Sequence, residues 1–86
     1  MMLSTIRVTI LYFAGAKDAT GVRMESIELP KNTSIEELLP KIWMTHPKIR
    51  DMLNIVQISV NYRVVDKGTI LKEGDEVAIL PPISGG

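Results

Sequence analysis

Apolar and polar residues alternate near the start of the chain, and that alternation predicts a strand. Ile6 to Phe13 (IRVTILYF) is rich in β-branched and aromatic residues, with Ile6, Val8, Ile10 and Tyr12 on one face and Arg7, Thr9, Leu11 and Phe13 on the other. Ala14 to Gly21 contains two glycines and reads as a loop, with room for a helical turn around Lys17 to Ala19. Val22 to Leu29 alternates again and Pro30 ends it, so the two strands form a hairpin with a long connection.

The period then changes. Ile35, Leu38, Leu39, Ile42 and Trp43 follow the i, i+3, i+4, i+7, i+8 spacing of one helical face. Ser34 with Glu37 fits a capping box at the helix start, and Thr33 with Glu36 fits almost as well. Pro40 lies inside the run, where it removes a backbone hydrogen bond and predicts a kink. His46-Pro47 closes the helix, because the residue before a proline avoids helical geometry. Lys48 to Leu53 leaves space for one more turn. Strands follow at Ile55 to Val60, Arg63 to Val65 and Glu76 to Leu80, with turns at Asn61-Tyr62 and Gly74-Asp75. The expected order is ββαβββ, an α+β fold in which one amphipathic helix crosses a mixed sheet. It resembles the β-grasp, or ubiquitin-like, fold. The expected core joins Ile35, Leu38, Leu39 and Ile42 to Val8, Ile10, Ile58 and Val77, with Trp43 partly buried.

Composition narrows the function. The 86 residues suit one domain, expected over 1–80 with a tail over 81–86, and a core that is thin for want of size. With no cysteine there is no disulfide, no thiolate metal site and no cysteine nucleophile. Ten basic and ten acidic residues cancel, which argues against a nucleic-acid partner. Met1 to Leu11 carries too short an apolar run for a signal peptide, and no segment approaches the ~20 apolar residues of a membrane span. The expectation is a soluble, cytoplasmic domain without a membrane partner.

Candidate catalytic groups are few. His46 is the single histidine, and beside Pro47 at a helix end it reads as a capping or surface residue; without cysteine it offers no metal site. Glu36 and Glu37 occupy a helix's first turn, where acids suit the dipole, and Asp75 and Glu76 occupy a turn. The ending Pro81-Pro82-Ile83-Ser84-Gly85-Gly86 is different. Two prolines end the last strand and hold the chain stiffly. Two glycines carry no Cβ to obstruct a narrow channel. Six residues at ~3.3–3.6 Å each reach about 20 Å, enough to carry a carboxylate into another protein. Phe13, Leu80 and Val64 fall on the sheet face away from the helix and form a candidate apolar docking patch beside this tail.

The segment VNYRVVDKGTILKEGDEVAILPPISGG, Val60 to Gly86, resembles the small subunit of molybdopterin synthase, a family of ubiquitin-like sulfur carriers. The specific parts are G-D-E-V-A at Gly74 to Ala78 and the P-P-I-S-G-G ending. ILYFA at Ile10 to Ala14, T-G-V-R at Thr20 to Arg23 and His46-Pro47 support it, and Pro40 departs from it. The resemblance implies a subunit with no catalytic groups or stably bound cofactor of its own. It implies that an E1-like adenylating enzyme uses ATP and magnesium to convert the Gly86 carboxyl to an acyl-adenylate. A persulfide donor then leaves a thiocarboxylate there. The tail, with Pro81, Pro82, Ile83, Ser84 and Gly85 as partner-binding residues, enters the large synthase subunit of a heterotetramer. It gives its sulfur to cyclic pyranopterin monophosphate, building the molybdopterin dithiolene. A protein modifier, a sulfur carrier for thiamine or tRNA thiolation, and a plain interaction module with an inert tail remain open at this point.

Overall fold

The structure, a computed structural model, describes residues 4–82, so Ile83, Ser84, Gly85 and Gly86 of the candidate tail lie outside the described residues. Five strands form one mixed sheet: β1 (Thr5–Tyr12), β2 (Met24–Pro30), β3 (Gln57–Val60), β4 (Arg63–Val65) and β5 (Glu76–Leu80), in spatial order β2-β1-β5-β3-β4. The central pair β1 and β5 is parallel; the other pairs are antiparallel. Alternation along β1 is realised, with Ile6, Val8, Ile10 and Tyr12 buried on one face.

The helix α2 (Ile35–Thr45) sets Ile35, Leu38, Leu39 and Ile42 into the core with Val8, Ile10, Ile58 and Val77, as the spacing predicts, and Trp43 packs against it partly buried. Its start is Ser34, not Thr33. Ser34 Oγ accepts the Glu37 amide at 3.2 Å while the Glu37 carboxylate accepts the Ser34 amide at 3.0 Å. Thr33 turns its hydroxyl to the Pro30 carbonyl at 2.6 Å. The next amides, of Ile35 and Glu36, donate to the carbonyls of Thr69 and Lys67, both at 2.9 Å, so a distant loop satisfies donors that a helix leaves open. The helix runs on through Pro40. A proline there costs ~3 kcal/mol, whereas each fully buried leucine or isoleucine contributes about 1.5–3 kcal/mol, and Ile35, Leu38 and Ile42 are all of that kind.

One expectation needs correction. Residues Ala14–Thr20 form a short helix, α1, so the order is βαβαβββ rather than ββαβββ. Ala16 is fully buried, Gly21 stops the helix in the left-handed conformation (φ 77°), and its amide donates to the Lys17 carbonyl at 2.7 Å. A Cβ at Gly15 would stand 3.1 Å from Met52 Cε, so glycine lets α1 lie close to the segment after α2. That segment holds two 3-10 turns, Pro47–Ile49 and Met52–Asn54, which insert Ile49 and Leu53 into the core. Two helices of unequal weight on a five-stranded mixed sheet remain the β-grasp arrangement. No helix among the described residues is long and apolar enough to cross a membrane.

Candidate docking surface and tail

The helices and 3-10 turns supply the core against one face of the sheet, and the outward-facing side chains of the strands line the other. Strand register aligns a row across that second face: Met24 opposite Leu11, Leu11 opposite Ala78, Ala78 opposite Ser59, and Ser59 opposite Val64. Phe13 and Leu80 stand at the end of the face from which the chain leaves β5. Together Leu11, Phe13, Tyr62, Val64, Ala78 and Leu80 line a shallow groove of about 270 Å³, edged by Ser59 and Glu76. Its walls are almost wholly apolar, although Phe13 is 48% exposed and Val64 62%. Phe13, Tyr62 and Val64 thus stand exposed in one continuous patch rather than scattered singly, which makes the face a candidate interaction surface.

The three candidate residues of this face are therefore brought together. Phe13 and Leu80 share the groove with Val64, and Pro81 and Pro82 continue from its edge. The last ladder pair is Leu80 with Gln57. Pro81 follows at once, and lacking an amide hydrogen it cannot extend the ladder. Pro81 is half-buried and Pro82 exposed.

Two residues of this face, Tyr62 in the groove and Met24 beyond it, are harder to see in sequence. Tyr62 is 89% exposed, and both it and Asn61 have positive φ (72° and 52°), the signature of a type I′ turn. The turn is braced by Asn61, whose amide nitrogen donates to Asp75 at 2.9 Å and whose carbonyl oxygen accepts the Glu76 amide at 3.0 Å. Met24 joins the row only through its register with Leu11, which the expected hairpin, with its loop in place of α1, does not specify. Lys17 and Arg23 border this end of the face beside Leu11, Phe13 and Met24. Neither makes a salt bridge among the described residues, whereas Arg7, farther along the face, pairs with Glu28 at 3.3 Å.

Of the acidic candidates, Glu37 and Asp75 have structural partners, as does the neighbouring Glu73. Asp75 accepts the Lys72 amide at 2.8 Å, and Glu73 accepts the Arg7 amide at 3.0 Å. Hydrogen bonds from Ser34, the backbone one first, hold the Glu37 carboxyl below its ordinary range. His46 is more engaged than a surface residue. Its Nε2 lies 2.7 Å from Glu25 Oε2, which also accepts the Tyr12 hydroxyl, and the two rings meet edge to face. Burial, then the hydrogen bond and charge of Glu25, pushes the Tyr12 phenol far above its ordinary value.

An exposed apolar face of this kind is a docking candidate; among the described residues no cluster of three metal-ligating side chains forms. Comparison with known proteins gives the same direction. A protein-family model described as the ThiS family matches residues 10–86. The human molybdopterin synthase sulfur carrier subunit is 38% identical over 88 residues, covering 99% of this chain and 100% of that protein. A solved Pyrococcus furiosus structure, assigned as subunit 1 of molybdopterin converting factor, has a TM-score of 0.82 at 32% identity, covering 91% of this chain and 99% of that one. A chain from the Helicobacter pylori complex of subunits 1 and 2 of molybdopterin-converting factor has a TM-score of 0.67 at 26% identity, covering 94% and 100%. An ubiquitin of Caldiarchaeum subterraneum, at 14% identity over 96% of this chain and 100% of that one, shares the fold with a TM-score of 0.66. By full-length sequence similarity and by architecture alike, the chain belongs to the ThiS family, and its fold is ubiquitin-like.

Proposed function

We propose that the chain is the sulfur carrier subunit of a molybdopterin synthase and that the carboxyl of Gly86 carries the sulfur. The observation that carries this reading is the coupling of an exit to a landing surface. β5 ends at Leu80, inside the apolar groove of Phe13 and Val64, and hands the chain to Pro81 and Pro82. The ThiS-family match continues through residue 86, and the human relative aligned over its full length is a sulfur carrier subunit.

The chemistry follows from the carboxylate. A terminal carboxyl with a pKa of roughly 3.3–3.7 is ionised at neutral pH and resists nucleophiles. An E1-like partner holding ATP and magnesium joins it to AMP and expels pyrophosphate. The terminal sulfur of a persulfide donor then displaces AMP to give an acyl disulfide, and a second thiol attacks its S–S bond, releasing the thiocarboxylate and leaving a disulfide on the donor. The tail enters the large subunit, where the sulfur passes to cyclic pyranopterin monophosphate. Two transfers complete one dithiolene. The Helicobacter complex of subunits 1 and 2 supports such a partner, and an exposed apolar sheet face fits its docking. Pro81 and Pro82 restrict the tail before it binds, which lowers the entropy lost when it is ordered. The site of action is the cytoplasm, and the ATP and magnesium belong to the partner.

Intact-mass measurement on the protein from its own cells tests the reading. Replacement of one oxygen by sulfur at the C-terminus is expected. A ladder of conjugates to other proteins would make it a modifier, and an unaltered end under conditions of molybdopterin synthesis would make the tail inert.

A further inference from the structure

The tail's base is flanked on two sides. On one, Pro81 and Pro82 border a groove with Phe13, Ile55, Gln57 and Leu80. On the other they border a groove with Ala14, Gly15, Asp51, Met52 and Ile55. Ile55 lines both, and it is 64% exposed although it follows directly on a core-forming 3-10 turn. A single exposed isoleucine is unremarkable. This one is contiguous with the two prolines, and through Phe13 and Leu80 with the groove on the open sheet face.

We infer that Ile55 and its neighbours form an apolar collar that seats the mouth of the channel taking in the tail, so the docking surface extends off the sheet onto the segment after α2. This rests on the carrier reading above. Chain length carries the argument. The four residues after Pro82 span at most about 14 Å when fully extended. A reacting centre reached by residue 86 therefore lies no farther than that from Pro82. The walls of the channel around it come down onto whatever rings the tail's base. In one groove that is Phe13 and Leu80, in the other Gly15 and Met52 with Asp51, and Ile55 is the large apolar side chain common to both. The occupant is accordingly the tail-receiving subunit, presenting an apolar lip to Ile55 and a hydrogen-bond donor or cation to Asp51.

The test measures the dissociation constant of the full-length chain for the molybdopterin synthase large subunit, by titration calorimetry, for Ile55→Ser, Ile55→Leu and Phe13→Asp. Ile55→Ser is expected to raise Kd at least tenfold, the effect that removing one large aliphatic side chain from a dry contact sustains. Ile55→Leu, which keeps the apolar volume, is expected to stay within threefold of the parent. Thermal melting of all three should remain near that of the parent, since both side chains are exposed. If Phe13→Asp weakens binding and Ile55→Ser does not, the collar is overturned and the carrier reading stands. If the parent itself does not bind the large subunit, the carrier reading falls and takes the collar with it.

Discussion

His46 Nε2 lies 2.7 Å from Glu25 Oε2, and through that one carboxylate oxygen the end of α2 is tied to β2 and, by the Tyr12 hydroxyl, to β1. All three groups are at least partly buried. Glu25→Ala strips two donors of their acceptor, so a loss of about 1–3 kcal/mol in urea unfolding is expected. Glu25→Gln keeps an acceptor and should cost less. The raised Tyr12 pKa adds a pH dependence with a definite sign. The folded protein keeps the phenol neutral, whereas the unfolded chain ionises it near pH ~10, so stability present below that pH is lost as pH rises through it. Tyr12→Phe should flatten this alkaline decline; an unchanged decline would show that another group causes it.

The capping box gives an acid counterpart. Ser34 holds the Glu37 carboxyl below its ordinary range. A depressed folded-state pKa stabilises above the unfolded value and is lost as pH falls through the folded one. Ser34→Ala should lower stability by ~1 kcal/mol at pH 7. It should also make the melting temperature less sensitive to pH below 4.5, the ordinary glutamate value. Melting curves of both proteins across that range check both statements.

The places where sequence and structure agree or part have physical reasons. The α2 core face was legible because four buried residues recur at helical spacing and a capping pair marks the start. Strand β5 and the turn before it were legible from alternation and from Gly74, which takes a positive φ of 82°. Helix α1 was not, because seven residues with an internal glycine are marginal alone and form through burial of Ala16 against distant elements. For the site, outward alternation sufficed to group Phe13, Val64 and Leu80, since each sits at a fixed parity in or beside its strand. Ile55 reads in sequence as the first residue of a strand, whereas β3 begins at Gln57 and Ile55 ends the preceding 3-10 turn, so its place beside the prolines follows from that turn and not from strand parity. His46 is the C-cap of α2, as its place before Pro47 indicates, but its side-chain partner Glu25 lies 21 residues away and only the fold joins them.

Tyr62 occupies a left-handed position that favours glycine, with its ring 89% exposed beside the groove. Tyr62→Gly should relieve that strain and hold or raise stability, by up to about 1 kcal/mol. The same change should weaken binding of the large subunit, as strain kept at a binding surface implies. Loss of stability without loss of binding would show that Tyr62 serves the turn alone.

Phe13→Asp and Leu80→Asp set a charge into the groove that a docked partner leaves dry. Phe13→Asp should raise Kd for the large subunit more than tenfold with melting within about 0.5 kcal/mol of the parent, as for an exposed site. Leu80→Asp should weaken binding as much and cost more stability, because Leu80 is half-buried in β5. Circular dichroism alongside a pull-down separates docking from folding.

The central claim is that the sulfur travels on the carboxyl of residue 86, and one added residue tests it. An alanine appended after Gly86 moves that carboxyl by about 3.5 Å, and misplacement on the scale of 1 Å costs on the order of a hundredfold in rate. Its methyl group must also pass where two glycines leave only bare backbone. The measurement is conversion of cyclic pyranopterin monophosphate to molybdopterin by the synthase reconstituted with the activating enzyme, ATP and a persulfide donor. The account predicts activity at least a hundredfold below the parent with an unchanged melting temperature; full activity in the extended chain would contradict it.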